Sequence, residues 1–386
     1  MVVIFKLKFL SIVITICIVC CSTATAKEPS KNNKLEIDAP SAILIDGYTG
    51  KILFEKNAFE VRSGASLMKI MNLLIAAESL EKGEINLNDK ITPSKEAEKA
   101  PGPGIWLKSG EIISTEDLIK SIGMISANDA CVVLAQHIKG SEGKFVNKMN
   151  EKAAKLNMKN TIFKNCIGED SDGNISTAYD IALMSKELMQ HDNVASCLST
   201  WIDHIRGGNT QIVNTNKLIK SCNYITGIKT GSSKSAGSCI AVSAQKGDIK
   251  LIGVLLGSDD TKKRNKEILE MVKFGFEKFV KITPHLPNDF PEKIKISNSL
   301  TSEAKIYVDL NKNFLINKKD IKNISSNVTL NSVIEAPLEK NQKIGEITYS
   351  LGNETLQKCD IKISQTVNKI TFSAVFNQVL NCFFKM

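Results

Sequence analysis

Histidine is scarce in this chain, and cysteine beyond the first 26 residues forms no recognisable pattern. His137, His191, His204 and His285 are the only four histidines in 386 residues. They are widely separated, with no HExxH-like spacing, so no zinc-peptidase ligand set is expected. Past residue 26 the cysteines are Cys131, Cys166, Cys197, Cys222, Cys239, Cys359 and Cys382, an odd number with no CxxC pair. That argues against a disulfide scaffold. Basic residues are spread evenly and never cluster with aromatics, which speaks against nucleic acid as a partner. The one long apolar run lies at the amino terminus. With 42% hydrophobic and 24% charged residues, the remainder reads as globular, enough for one sizeable domain and a smaller one.

That run, Phe9 to Cys21, follows Lys6 and Lys8 and precedes Ala24-Thr25-Ala26. A basic start, a greasy core and a small-residue end are the parts of an export signal, with cleavage expected before Lys27. The core is short for a membrane span of roughly 20 residues. Without Lys6 and Lys8 the chain holds 48 basic and 41 acidic residues, a net +7 that suits anionic envelope material without naming a partner.

Organisation follows from punctuation and period. Ser41 to Ile45 and Lys51 to Phe54 flank Asp46-Gly47-Tyr48-Thr49-Gly50 and read as a hairpin. A helix is expected from about Ser66. Thr92 to Gly110, broken by three prolines and three glycines, reads as a loop excursion. Helices are expected again after Ser114, and over Asp129 to Ile138, Lys144 to Leu156 and Thr177 to Met189. Gly237 to Ala244 and Lys250 to Leu256 form an expected antiparallel pair, and Arg264 to Val280 an amphipathic helix. Strands at both ends of a helical middle give one α/β domain over residues 27–282. Pro284, Pro287 and Pro291 mark a change into short apolar alternations, including Ala304 to Val308, Val328 to Leu330 and Glu346 to Leu351, expected as an all-β domain over 283–368. In 369–386, Phe372, Val375, Phe376, Val379, Leu380, Phe383 and Phe384 recur at helical spacing. The pattern fits a helix docked on the β domain and equally an amphipathic anchor in the membrane surface; terminal position, aromatic density and the nearby Lys369 and Lys385 point to the anchor.

Chemistry concentrates in three short segments. Ser66-Leu67-Met68-Lys69 sets a hydroxyl and an amine one helical turn apart, Ser126-Ala127-Asn128 follows, and Lys229-Thr230-Gly231 comes last. A serine attacks an amide poorly unless a base takes its proton, and lysine can do so only where its charged form is disfavoured. Lys69 is placed to serve Ser66 as general base. Lys229 is a second cation that would help keep Lys69 neutral, or would bind a substrate carboxylate. Ser126 can relay a proton and Asn128 can hold a substrate backbone or Lys69, although each would also serve as an ordinary helix cap. Thr230 offers a hydroxyl to a carboxylate, and Gly231 leaves room for a substrate along a strand edge. The backbone N–H groups of Ser66 and Ser232 are the expected oxyanion donors.

The ordered triple resembles the active-site elements shared by penicillin-binding proteins and serine β-lactamases. Leu44 to Lys51, Ser66 to Met71, Ser126 to Ala130, Asn214 to Leu218, Gly227 to Gly231 and Ala336 to Gly345 more specifically resemble the low-molecular-mass serine D-alanyl-D-alanine carboxypeptidases of bacterial envelopes. The resemblance implies an α/β penicillin-binding fold, mixed sheet plus helical lobe, followed by an all-β domain and a membrane-seating helix. It implies removal of the terminal D-alanine from peptidoglycan stem peptides through an acyl-enzyme, covalent inhibition by β-lactams, and no metal or cofactor. Four departures from the family's usual residues stand out, the last spanning two positions: Gly64 for proline, Ala127 for glycine, Thr226 for aspartate, and Ser232-Ser233 for histidine or phenylalanine then threonine. A crosslink-cutting endopeptidase of the same superfamily would use the same residues, whereas intact Ser66, Lys69, Ser126, Asn128 and Lys229 argue against an envelope-binding protein that kept the fold and lost turnover. A class A β-lactamase leaves the β domain and terminal helix without a purpose.

Overall fold

The computed structural model describes residues 35–169, 173–310 and 313–384, and for 378–379 and 381–383 the backbone alone. The export-signal reading of residues 1–26, Lys385 and the side chains of Val379, Cys382 and Phe383 lie outside the described residues.

A five-stranded sheet carries the first part of the chain. The hairpin strands β1 (Ser41–Asp46) and β2 (Ile52–Lys56) come first, and β3 (Ile225–Ser233), β4 (Gly237–Lys246) and β5 (Ile249–Ser258) close it in the order β2-β1-β5-β4-β3. All four pairings are antiparallel, so the mixture in this fold is of helices and strands rather than of strand directions. β1 is an interior strand, flanked by β2 and β5, and is buried along its whole length, which is why Ala42 to Ile45 read as a continuous apolar run.

Between β2 and β3 the chain builds the helical lobe. A 3₁₀ turn, Ala65–Met68, runs directly into α1 (Lys69–Glu81). Ten of the thirteen α1 residues are buried, so α1 is apolar on nearly every side, as a helix inside a core must be. The helix expected after Ser114 starts at Thr115, capped by the Ser114 hydroxyl, and passes at Ser121–Ile125 into a π-helical turn. That turn ends at Ser126, whose φ of +66° breaks the helix. A new helix, α2 (Asn128–Lys139), starts two residues later, followed by α3 (Glu142–Lys155) and α4 (Ala178–Leu188). Helix α5 (Thr261–Lys278) returns across the sheet, capped by Asp260, whose Oδ1 accepts from the N–H groups of Lys262 and Lys263. Its buried Ile268, Met271 and Val272 face β4 and β5; each such side chain contributes about 1.5–3 kcal/mol when taken from water.

After α5 a second hydrophobic core begins. Phe279–Ile282 pairs with Phe314–Asn317, and a second antiparallel sheet of β6 (Lys293–Lys295), β7 (Glu303–Val308), β8 (Ile324–Leu330), β9 (Lys343–Leu351) and β10 (Glu354–Ile363) follows in the order β6-β7-β10-β9-β8. Ile306, Ile347, Tyr349, Ile361 and Ile363 fill its core. Lys51 and Glu354 form an ion pair at 2.6 Å between the first hairpin and β10.

The chain ends in α6 (Phe372–Phe383), capped by the Thr371 hydroxyl. Phe372 is 87% and Phe376 53% exposed, so this apolar face has no covering partner among the described residues. Among the described residues no helix is long and apolar enough to cross a membrane. Cys131, Cys166 and Cys197 are buried free thiols, and Cys222 is half-buried and free.

Candidate active site

Ser66 lies on the 3₁₀ turn that feeds α1, and Lys69 is the first residue of that helix. Lys69 Nζ donates to Ser66 Oγ at 3.0 Å and also to the carbonyl of Ile167. The turn is entered through Ala65 with φ +44°, a left-handed value that costs backbone energy in a residue with a Cβ and is common at functional sites. A loop passes over this turn closely enough that a Cβ on Gly168 would lie 2.5 Å from the Ala65 carbonyl. Asn165 shapes the loop, its Oδ1 accepting from the N–H groups of Ile167, Gly168 and Glu169. The Ile167 carbonyl is thereby aimed at Lys69.

Lys69 is only 1% exposed, and burial pushes its amine below the ordinary lysine range, while the Glu169 carboxylate pulls the other way. Lys229 is equally buried, and its amine is pushed down to about 7, first by burial and then by the Lys69 charge. Repulsion between two buried amines disfavours the doubly protonated pair. Burial holds the Cys131 thiol at about 12, so beside the two lysines it stays neutral.

A cleft of about 380 Å³ opens over these groups, lined by Ser66, Lys69, Ser126, Asn128, Thr230, Gly231 and Ser232 among others. Seven of the eight residues singled out in the sequence therefore share one cavity. The eighth, Lys229, lies behind its wall, with Nζ donating to the Thr230 carbonyl at 3.3 Å. Ser126 Oγ and Asn128 Oδ1 are enclosed and have no hydrogen-bond partner among the described residues. Such atoms are costly unless a ligand or water meets them. Asn128 Nδ2 is committed to the Pro101 carbonyl and its backbone N–H to that of Pro103, which leaves the amide oxygen for a bound molecule. Thr230 Oγ1 lines the cleft and donates to Thr215 Oγ1 at 2.8 Å. For Gly231 the tight contact is inside the protein: a Cβ there would lie 3.1 Å from Ser66 N and 3.2 Å from Gly64 O and Leu67 N. β3 is packed directly on the nucleophile's turn.

Sequence reasoning missed several cleft residues. Arg264, 4% exposed, lines the cavity with its guanidinium on the Cys239 carbonyl and Asn265 Oδ1, and has no carboxylate partner among the described residues. Thr215, Glu169 and the Ile167 carbonyl line it as well. Of the departures, Thr226 Oγ1 donates to Ser243 Oγ at 2.9 Å and Ser233 Oγ accepts from the Ala236 N–H. Both hydroxyls thus serve the β3–β4 strand pair.

The sequence model described as D-alanyl-D-alanine carboxypeptidase, peptidase family S11, matches residues 24–260. The chain belongs to that family. Residues 279–369 match the C-terminal domain of penicillin-binding protein 5. The D-alanyl-D-alanine carboxypeptidase DacF of Bacillus subtilis is 34% identical over 355 residues, 91% of each chain. Penicillin-binding protein 5 from Haemophilus influenzae has the same fold, with a TM-score of 0.77 over 86% of this chain and 98% of that one at 24% identity. Penicillin-binding protein D2 from Listeria monocytogenes, solved in an ampicillin-bound form, covers 63% of this chain and 99% of its own at 28% identity and a TM-score of 0.58. The expected penicillin-binding fold with a second, β-rich domain is the fold of the family.

Proposed function

We propose that the protein is an exported serine-type D-alanyl-D-alanine carboxypeptidase that removes the terminal D-alanine from peptidoglycan pentapeptide stems through an acyl-enzyme on Ser66. The observation that carries this reading is the 3.0 Å contact between Ser66 Oγ and an amine whose protonated form burial disfavours. Neutral Lys69 takes the Ser66 proton as Oγ attacks the carbonyl of the penultimate residue. The oxygen that gains charge faces the Ser66 and Ser232 N–H groups. Ser126 Oγ, which has no hydrogen-bond partner among the described residues, passes a proton to the departing amine. Asn128 Oδ1 accepts an N–H of the stem, and the terminal carboxylate is met by the Arg264 guanidinium and by Thr230, whose hydroxyl turns from Thr215 to donate to it, with Lys229 contributing field from behind. Water then attacks the ester with Lys69 again as base. A β-lactam carbonyl enters by the same route, but its leaving amine stays tethered, and the ampicillin-bound form of the Listeria relative is consistent with that.

Residues 1–26 serve as the export signal, 27–282 as the peptidase domain, 283–368 as the β-rich domain and 369–386 as an anchor seated in the outer surface of the cytoplasmic membrane. The exposed phenylalanines of α6 support the anchor over a helix docked on the β domain. Intact-protein mass after incubation with penicillin tests the nucleophile: one adduct on the parent and none on Ser66→Ala is expected. Chromatography of digested peptidoglycan tests the reaction. Pentapeptides should become tetrapeptides; loss of crosslinked dimers without D-alanine release would assign an endopeptidase instead, and an adduct with neither product a binding protein.

A further inference from the structure

Beside the cleft the chain presents a tryptophan that touches almost nothing. Trp106 is 83% exposed, while its neighbours Ile105 and Leu107 are 3% and 1% exposed. Its φ is +53°, a left-handed value that turns the indole outward while both flanking side chains go in. The loop beneath is fastened from several directions. Asp129 accepts from the Ile105 and Leu107 N–H groups, both at 3.0 Å from Oδ2, and Arg206 Nη2 donates to the Ile105 carbonyl at 2.9 Å. Gly104 sits so close that a Cβ would lie 2.8 Å from the Asp129 carboxylate. The same loop is tied to the site, because Asn128 holds the carbonyls of Pro101 and Pro103, and Gly102 and Pro103 line the cleft. A strained backbone, tight anchorage and a large apolar ring left in water together describe a preorganised contact platform rather than a slack surface loop.

We infer that Trp106 is a stacking platform for a sugar ring of the peptidoglycan glycan strand, an inference that rests on the carboxypeptidase reading above. The apolar C–H face of a pyranose matches a flat indole, and the chain lengths on both sides permit the contact. Trp106 follows the cleft-lining Pro103 by three residues, at most about 10 Å of chain. Three stem residues separate the penultimate D-alanine from the sugar, which is again about 10 Å when extended. A stem with its reacting carbonyl at Ser66 and its amino-terminal half leaving past Asn128 brings its sugar to the indole. Trp106 therefore favours stems still attached to glycan over free peptides.

Two measurements on the full-length protein test this. The first is kcat/KM on a free pentapeptide and on the same pentapeptide carried by glycan chains. Trp106→Ala should match the parent within about twofold on the free peptide and fall about tenfold on the glycan-borne one, with Trp106→Phe retaining most of the activity. The second is indole fluorescence in Trp201→Phe, which leaves Trp106 as the sole tryptophan, titrated with stem-free chains of alternating N-acetylglucosamine and N-acetylmuramic acid. A saturable change is expected. Equal loss on both substrates, loss on neither, or no fluorescence response overturns the inference. Trp106→Ala that keeps glycan-borne activity but loses binding to anionic lipid vesicles overturns it in favour of a membrane contact. If the parent releases no D-alanine even from the free peptide, the carboxypeptidase reading fails, and the fluorescence titration still decides whether the indole binds glycan.

Discussion

Gly231→Ala places one methyl group between the substrate strand and the nucleophile. The added Cβ would stand 3.1–3.2 Å from Ser66 N, Gly64 O and Leu67 N, where ordinary contact begins at 3.4 Å. All three are backbone atoms, so no side chain can rotate away. β3 or the 3₁₀ turn must yield by a few tenths of an ångström. Lys69 and Ser66 lie on the same turn and move together, so their 3.0 Å contact persists. What widens is the gap between the Ser66 and Ser232 N–H groups, where the oxyanion forms. Misplacement by a full ångström costs roughly 10²-fold, so a few tenths should slow acylation by about tenfold. Overpacking should cost about 1–2 kcal/mol of stability, or a Tm lowered by roughly 2–8 °C. Single-turnover acylation by a fluorescent penicillin, measured well below the melting range, separates the two effects. Gly143→Ala is the control of opposite sign: it is inside α3 with nothing within 4 Å of the new Cβ, so it should raise stability by about 0.5–1 kcal/mol and leave acylation alone. Acylation of Gly231→Ala at the parent rate with an unchanged Tm would refute the tight strand-on-turn packing.

Lys229→Met tests the buried amine by pH. Its folded value of about 7 lies below the ordinary 10.5, so between those values the unfolded chain binds the extra proton and parent stability should rise with pH, by on the order of a few kcal/mol. The methionine variant should show a clearly shallower rise in urea midpoint from pH 7 to 9; identical slopes would mean Lys229 is not desolvated. Deleting Thr371 to Met386 should release the exported protein from membranes while leaving its penicillin acylation rate within about twofold, since the exposed face of α6 and the cleft lie in different segments. A truncated form that sediments with membranes as fully as the parent would place the anchor elsewhere.

Regular periodicity was legible. The first hairpin carries its turn in Asp46 to Gly50, and α2, α3, α4 and α5 start and stop within a few residues of where caps and apolar spacing put them. β3 could be read only through the strand edge that Gly231 was expected to supply, not from pattern, because Ile-Thr-Gly-Ile-Lys-Thr-Gly-Ser-Ser holds only two large apolar residues and buries a lysine where pattern expects a solvated one. The pairing of Phe279–Ile282 with Phe314–Asn317 joins segments too short and too distant for a local signal. In the site, the three motifs marked their own residues. Arg264 read as the first turn of an ordinary helix, and the Ile167 carbonyl could leave no trace, since every residue has one. Trp106 looked like one more residue of a proline- and glycine-broken loop; its meaning depends on a left-handed φ that only folding reveals.

The buried thiols set a condition on how this protein can be lost. Cys131 and Cys197 are held at about 12 and Cys166 well above its ordinary value, all chiefly by burial, so none presents a thiolate to an oxidant while the fold stands. Outside the cytoplasm, where the proposed export would carry it, protection is therefore a property of the folded state alone. Each opening of the core exposes sulfurs that have no native partner among themselves, and any crosslink they form has no place in the closed structure. Unfolding there becomes a ratchet: the lifetime of the enzyme is governed by how rarely the core opens rather than by how readily it would close again.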